Sequence, residues 1–264
     1  MLGAIIGDIA GSRFEFDNIR HKDFELFTPD CMATDDSIMT LAIAQAVMDS
    51  RTDGSDLGEK AVQAMQRIGR PYPDCGYGGH FWGWIYSDNP RPYNSFGNGA
   101  AMRVSACGFA AHSLEEALAT ARAVTEVTHN HPEGLKGAQA VAAAIWLARS
   151  GMSMQEIRGV IDREYYPMDF TLDEIRPRYV FNETCQQTVP QALMAFFEST
   201  GFEDAIRNAV SIGGDSDTLA AITGSVAEAF YGVPEELGER AKGFLDERLK
   251  GILESFQTFL NENQ

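Results

Sequence analysis

Apolar residues return every three or four positions in three alanine-rich stretches of this chain, residues 37–48, 133–149 and 219–231. That spacing lines one face of an α-helix and alanine is the best helix former, so each stretch is predicted to be helical. A polar cluster precedes each one: ATDDS, VTHNHP and IGGDSDT. Their Thr, Asp, Asn and His side chains supply acceptors for the unpaired N–H groups of a first turn. Residues 114–127, 189–199, 203–211 and 237–260 are read as further helices. Alternating runs that would mark strands are few, and none flank a hairpin dipeptide. The expected fold class is all-α. With 264 residues, of which 44% are apolar, the chain can bury one large core, and a single domain over residues 1–264 is expected.

Residues 70–99, RPYPDCGYGGHFWGWIYSDNPRPYNSFGNG, depart from this pattern. They are too rich in Gly and Pro for a helix and too aromatic for a linker, and long structured loops of this kind commonly carry function. A second irregular stretch, residues 165–183, is expected to cover the same face. Charge narrows the partners. Acidic residues number 38 against 21 basic ones, a formal charge of −17, which opposes nucleic acid and anionic membrane surfaces. A small anionic substrate then needs local help from metal ions, backbone amides or helix N-termini. Cys31, Cys75, Cys107 and Cys185 lack zinc-ligand spacing and read as free thiols in a reducing compartment. The first residues meet Asp8 too early for a signal sequence, and no run of about 18 apolar residues occurs, so a cytoplasmic location is expected.

The candidate chemistry lies in Thr34-Asp35-Asp36 and Asp215-Ser216-Asp217-Thr218, each of which puts two carboxylates and a hydroxyl into the opening turn of a predicted helix. Two readings compete. Thr and Asp cap helices, where they accept N–H bonds and suit the helix dipole. Alternatively, four carboxylates brought together repel one another and stay ionised when divalent cations sit between them. A cap does not need the adjacent second acid, and Gly213-Gly214 would let backbone and ligand approach closely, which favours the metal reading. Oxygen ligands select Mg2+, Mn2+ or Ca2+ over zinc.

Five segments in order, GAIIGDIAGSRFE, ATDDS, SFGNGAAMR, VTHNHPEG and IGGDSDTLAAITGSVAEAFYG, give the chain a resemblance to the ADP-ribosylglycohydrolase family over most of its length. The resemblance implies an all-α orthogonal helical bundle with a binuclear centre of Mg2+ or Mn2+. By position it implies Thr34, Asp35 and Asp36 as one set of metal ligands and Asp215, Asp217 and Thr218 as the other. Glu15 matches the acid that the family places over the reacting sugar; read alone, it is a surface acid after a capped turn. Ser95, Phe96, Gly97, Asn98 and Gly99 match a glycine-rich loop whose amides would cradle a diphosphate and whose aromatic ring would stack on adenine; the bland alternative is an ordinary turn. His129 matches a histidine near the ribose, and in isolation reads as a cap or a packed ring. His80 and His131 read as structural.

The reading reached from the sequence is a metal-dependent hydrolase that cuts ADP-ribose from a protein side chain or small conjugate, with a water positioned by Glu15 or Asp36. Nothing in residues 70–94 assigns the linkage. DSDT also resembles the aspartate motif of haloacid dehalogenase-like phosphatases, but that motif belongs near the start of a Rossmann-like domain. A second rival is a non-catalytic relative that binds ADP-ribose or serves a structural role, as crystallin-like members of the family do.

Overall fold

The computed structural model describes residues 1–51 and 53–263. Its helices are α1 Leu2–Ser12, α2 Asp35–Asp49, α3 Leu57–Gly69, α4 Gly79–Ile85, α5 Gly99–Met102, α6 Ser105–Ala110, α7 Leu114–Thr125, α8 Pro132–Arg149, α9 Met154–Glu164, α10 Leu172–Ile175, α11 Cys185–Phe197, α12 Phe202–Ile212, α13 Ser216–Tyr231, α14 Glu235–Lys242 and α15 Glu247–Asn263. No strand forms among the described residues; Gly97 and Thr184 make an isolated antiparallel bridge. The fold is all-α.

The predicted helices form with small shifts at their ends, except that residues 237–260 divide into α14 and α15. The break falls at Gly243 to Asp246, where the Asp246 carboxylate accepts from the Leu249 N–H at 2.9 Å and starts a new helix. Residues 70–99 are not wholly irregular either. Phe81, Trp84 and Ile85 sit at helical spacing and are buried, and that apolar stripe holds α4 despite its glycines. Three helices of eleven or more residues went unread in the sequence. Of these, α9 carries a legible signal, a capping box between Ser153 and Glu156. α3 has a one-sided apolar face built from Leu57, Ala61, Ala64, Met65 and Ile68.

α1 escapes the helix pattern because Gly3, Gly7 and Gly11 lower its propensity. Packing overrides that cost. A Cβ added at Gly3 would lie 2.2 Å from the Gly224 carbonyl oxygen, one at Gly7 2.0 Å from that of Ala220, and one at Gly11 2.5 Å from that of Ser216. The partners descend along α13 as the glycines ascend along α1, so the two helices run antiparallel with backbones in contact. α13 is buried from Ser216 to Ala227 and also touches α8, α11 and α12, which makes it the centre of the bundle. The seam brings the N-terminal end of α13 beside Asp8 and the residues that follow α1.

Gly7→Ala is expected to destabilise the fold by about 1–3 kcal/mol, because overpacking at a backbone contact outweighs the helix-propensity gain. Gly251→Ala, at an exposed α15 position with open space around it, is expected to be neutral or stabilising by up to about 1 kcal/mol. Urea denaturation of both variants checks this, and equal behaviour would refute the seam.

Candidate functional site

Asp8 organises the site from below. A lone acid in an apolar helix, it is completely buried and accepts from the Thr34 N–H at 2.9 Å, the Thr34 hydroxyl at 2.6 Å, the Ser37 N–H at 3.0 Å and the Ser37 hydroxyl. A carboxylate on α1 thereby fixes the first turn of α2. Thr34 is the N-cap of that helix, its oxygen accepting from the Asp36 N–H at 3.3 Å. The capping reading thus holds for Thr34, but capping does not use up the acids beside it. Asp215 stands at the N-cap position of α13 without making a cap bond; its carboxylate accepts from the Asn98 amide at 2.6 Å instead.

The carboxylates of the two motifs meet. Oxygens of Asp8, Asp36 and Asp217 lie within 4.8 Å of one another, as do those of Glu15, Asp215 and Asp217, so Asp217 belongs to both groups. Thr218 ties the motifs directly, donating its hydroxyl proton to Asp36 at 3.1 Å. Asp35 falls in neither group; its carboxylate lines the cavity beside Gly76, whose φ of +113° and 2.9 Å approach exclude a side chain. Burial and neighbouring acids push these carboxyl groups toward the protonated form. Desolvation, then the charges of Asp215, Asp8 and Glu183, raise Glu15 to about 7. Burial raises Asp8 to about 6 against the pull of its hydrogen bonds. Asp35, Asp36 and Asp217 are held well above the carboxylate range, by desolvation first and then by one another and by Asp8, Asp215 and Glu15.

Asp36 is 2% exposed, and its Oδ1 has no hydrogen-bond partner. A buried carboxylate oxygen left so is costly. Grouped, all-oxygen, mutually repelling donors with one oxygen orphaned fit a hard divalent cation. The residues present therefore suit the ions expected from the sequence, though the groups cut across the two motifs.

Glu15, Asp35, Asp36, Asp215, Asp217 and Thr218 face a cavity of about 250 Å³ that also takes in Ser95, Gly97, Asn98, Gly99, His129, Arg103 and Glu183. Its glycine-rich wall is sewn in place: the Tyr93 N–H donates to the Thr128 carbonyl at 3.1 Å, the Asn94 N–H to Asn130 Oδ1 at 2.8 Å, and the Cys185 N–H to the Phe96 carbonyl at 2.9 Å. Asn94 has φ 56°, a left-handed conformation that asparagine tolerates. Two loop amides are already engaged, that of Gly97 with Ser95 Oγ at 3.1 Å and that of Asn98 with the Glu183 carbonyl at 2.7 Å. Residues 165–183 do reach the same face, through Glu183. The Phe96 ring is not part of the cavity wall; it is 42% exposed and packs on His131. His131 caps α8, accepting from the Glu133 N–H at 3.1 Å, as its structural reading implies. His80 departs from that reading, since it is exposed and lines the cavity from the start of α4. Buried His129 keeps a pKa well below the usual histidine value, through desolvation and then Arg103.

Sequence reading brought Glu15, Thr34, Asp35, Asp36, Asp215, Asp217, Thr218, Ser95, Phe96, Gly97, Asn98, Gly99 and His129 to attention, and all but Thr34 and Phe96 line this one cavity. It missed Asp8, Glu183, Tyr93 and His80. Asp8 alone had a visible signal, a single charge inside the apolar run of residues 1–10.

A family model described as ADP-ribosylglycohydrolase matches residues 1–259. ADP-ribosylhydrolase ARH3 of Mus musculus is 24% identical over 92% of this chain and 86% of its own length. ADP-ribosylarginine hydrolase Tri1 of Pseudomonas putida is 29% identical over 88% of this chain and 70% of its own. Among solved structures, a chain of an ADP-ribosylglycohydrolase-related protein complex superposes with a TM-score of 0.70 at 20% identity, covering 100% of this chain and 97% of that one. With the match running almost end to end and the acidic motifs converging on one cavity, the chain belongs to the ADP-ribosylglycohydrolase family.

Proposed function

We propose that this protein hydrolyses the glycosidic bond between ADP-ribose and a modified protein side chain or small conjugate, assisted by two divalent cations, Mg2+ or Mn2+. The observation that carries the reading is the grouping of Glu15 with Asp215 and Asp217 across one cavity from the glycine-rich loop. Thr34, Asp35 and Asp36 on one side and Asp215, Asp217 and Thr218 on the other are the oxygen donors that would hold the ions. Bound there, the ions would supply positive charge that keeps the carboxylates ionised and orients sugar hydroxyls.

The chain's own residues do the rest. Glu15 is half-buried beside Asp215 and Asp217, and without bound ions its burial and the charges of Asp215, Asp8 and Glu183 raise it to about 7. It is the proposed general base, drawing a proton from the water that attacks the anomeric carbon; Asp36 is the other candidate. Gly97 and Gly99 let the substrate lie close along the loop, His129 meets its ribose end, and the exposed ring of Phe96 offers adenine a face at the rim. The phosphatase alternative requires a strand before Asp215, where helix α12 stands. A non-catalytic role is disfavoured because each acidic position of both motifs is present.

Release of ADP-ribose from ADP-ribosyl-serine, ADP-ribosyl-arginine and ADP-ribosyl esters, with Mg2+, with Mn2+ and with chelator, tests the function. Release from at least one linkage, lost in chelator, is expected; no release from any would overturn the reading. Either cation is also expected to raise the melting temperature, and Asp217→Ala, which removes the shared member of both groups, to abolish that rise.

Glu15→Gln keeps the shape and removes the ionisable group. Turnover on the best linkage is expected to fall by about 10² to 10⁴-fold, the range for a positioned acid or base, with ADP-ribose affinity retained. A single-turnover rate near that of the wild type would transfer the base role to Asp36.

The raised Glu15 pKa also has a thermodynamic consequence. Folded protein binds this proton more tightly than unfolded protein does, so the group's stabilising contribution is full at low pH and is lost as pH rises through the folded value of about 7. In chelator, Glu15→Gln is expected to become more stable than the wild type as pH climbs from about 4.5 to about 7, with a constant gap above that. Thermal melts across this range check it; a gap independent of pH would mean that Glu15 does not carry the strain.

A further inference from the structure

Arg103 and His129 line the cavity, and Thr128 bridges them. Arg103 is 1% exposed, Thr128 is fully buried, and His129 is 5% exposed. Arg103 Nη2 donates to Thr128 Oγ1 at 2.6 Å and lies 3.4 Å from His129 Nδ1, and Thr128 Oγ1 lies 2.7 Å from the same ring nitrogen. Arg103 makes no ion pair among the described residues, which leaves the hydroxyl and the imidazole as the groups its Nη2 meets.

The hydrogen-bond inventory settles where the imidazole proton goes. A guanidinium only donates and stays charged, whereas a hydroxyl both donates and accepts. Thr128 Oγ1 takes the Arg103 proton on a lone pair and has its own proton to give. The competing acceptor, the Thr125 carbonyl, is 3.3 Å away against 2.7 Å for Nδ1. A proton on Nδ1 would also point toward the cation. Nδ1 is therefore the acceptor, and the one proton of the neutral ring sits on Nε2. That atom faces the glycine-rich loop, 3.6 Å and 3.4 Å from where Cβ atoms on Gly97 and Gly99 would stand.

We propose that Arg103 and Thr128 are positioning residues that lock His129 in its neutral Nε2–H tautomer, so that one fixed donor points from the cavity wall at an oxygen of the bound substrate. The inference rests on the proposed function for the identity of that substrate, and on geometry alone for the tautomer. Neutrality fits the setting: desolvation and the cation keep the ring from becoming a second charge, and the donor is pre-aimed before anything binds. Arg103 chooses which nitrogen is bare, and Thr128 holds that nitrogen at 2.7 Å.

The test is nitrogen-15 NMR of the histidine rings in the Mg2+-supplied protein, with ADP-ribose absent and then present, the His129 signals being identified by their loss in His129→Asn. A single Nε2–H tautomer in the wild type is expected, and an Nδ1–H ring would overturn the proposal without any variant. Arg103→Met is expected to give a mixture of tautomers, while Arg103→Lys keeps one. Should Arg103→Met not fold, the wild-type spectrum and the Thr128 pair decide. Thr128→Val is expected to weaken ADP-ribose binding by about five- to tenfold, the worth of one hydrogen bond, and Thr128→Ser to restore it. Full affinity in Thr128→Val would overturn the positioning role. If wild-type protein does not bind ADP-ribose at all, the proposed function fails, and the spectrum still decides the tautomer.

Discussion

Backbone contact between α1 and α13 is the constraint on which the rest depends. Helices separated by ordinary side chains stand 8–10 Å apart, whereas glycines at every fourth position allow a closer approach. Here a single methyl group at Gly7 would meet the Ala220 carbonyl at 2.0 Å. The closeness has a chemical purpose. It lets Asp8, on α1, reach the first turn of α2, and it sets the carboxylates that open α13 against those that open α2. A looser seam would separate Asp36 from Asp217 and leave two acidic helix starts with no common site.

That arrangement stores electrostatic tension in the middle of a rigid bundle. Asp8 is offset by four hydrogen bonds, but Asp36 keeps an orphaned oxygen and Asp217 has repelling acids on two sides. The surrounding framework must be stable enough to hold these groups together, and the small-residue packing of α13 with α1, α8, α11 and α12 provides it. Across the same cavity, the buried guanidinium of Arg103 works in the opposite sense. It meets Thr128 and His129 instead of pairing with the acids, which leaves the cavity an acidic side and a glycine-rich side. One cavity thus presents two chemistries, a division suited to a substrate that carries both hydroxyls and phosphates.

Much of this was legible from residue order. The alanine-rich periodicity marked α2, α8 and α13, the polar clusters marked their starts, and the paired acids marked the site. Each of those signals is local, because propensity, capping and charge repulsion act within a turn or two of the chain. The resemblance carried by five short segments supplied the glycine-rich loop and Glu15, whose local chemistry was too plain to stand out. The missed α3 and α9 carry local signals, but elsewhere a distant contact had overridden a local rule. α1 is helical because its glycines meet α13, α4 because its aromatic stripe is buried, and His80 lines the cavity because α4 carries it there.

The amino-acid sequence by itself determined the all-α class, the positions of the main helices and the two acidic motifs, since these follow from spacing and side-chain type. Only the tertiary structure decided how the motifs combine. Asp217 joins both carboxylate groups, Asp35 joins neither, Asp215 turns to Asn98 instead of capping its helix, and Phe96 stays at the rim against His131. Asp215 and Asn98 are 117 positions apart and Thr218 and Asp36 182, and their geometry depends on how closely whole helices approach, a quantity set by packing across the bundle and not by any stretch of chain read alone.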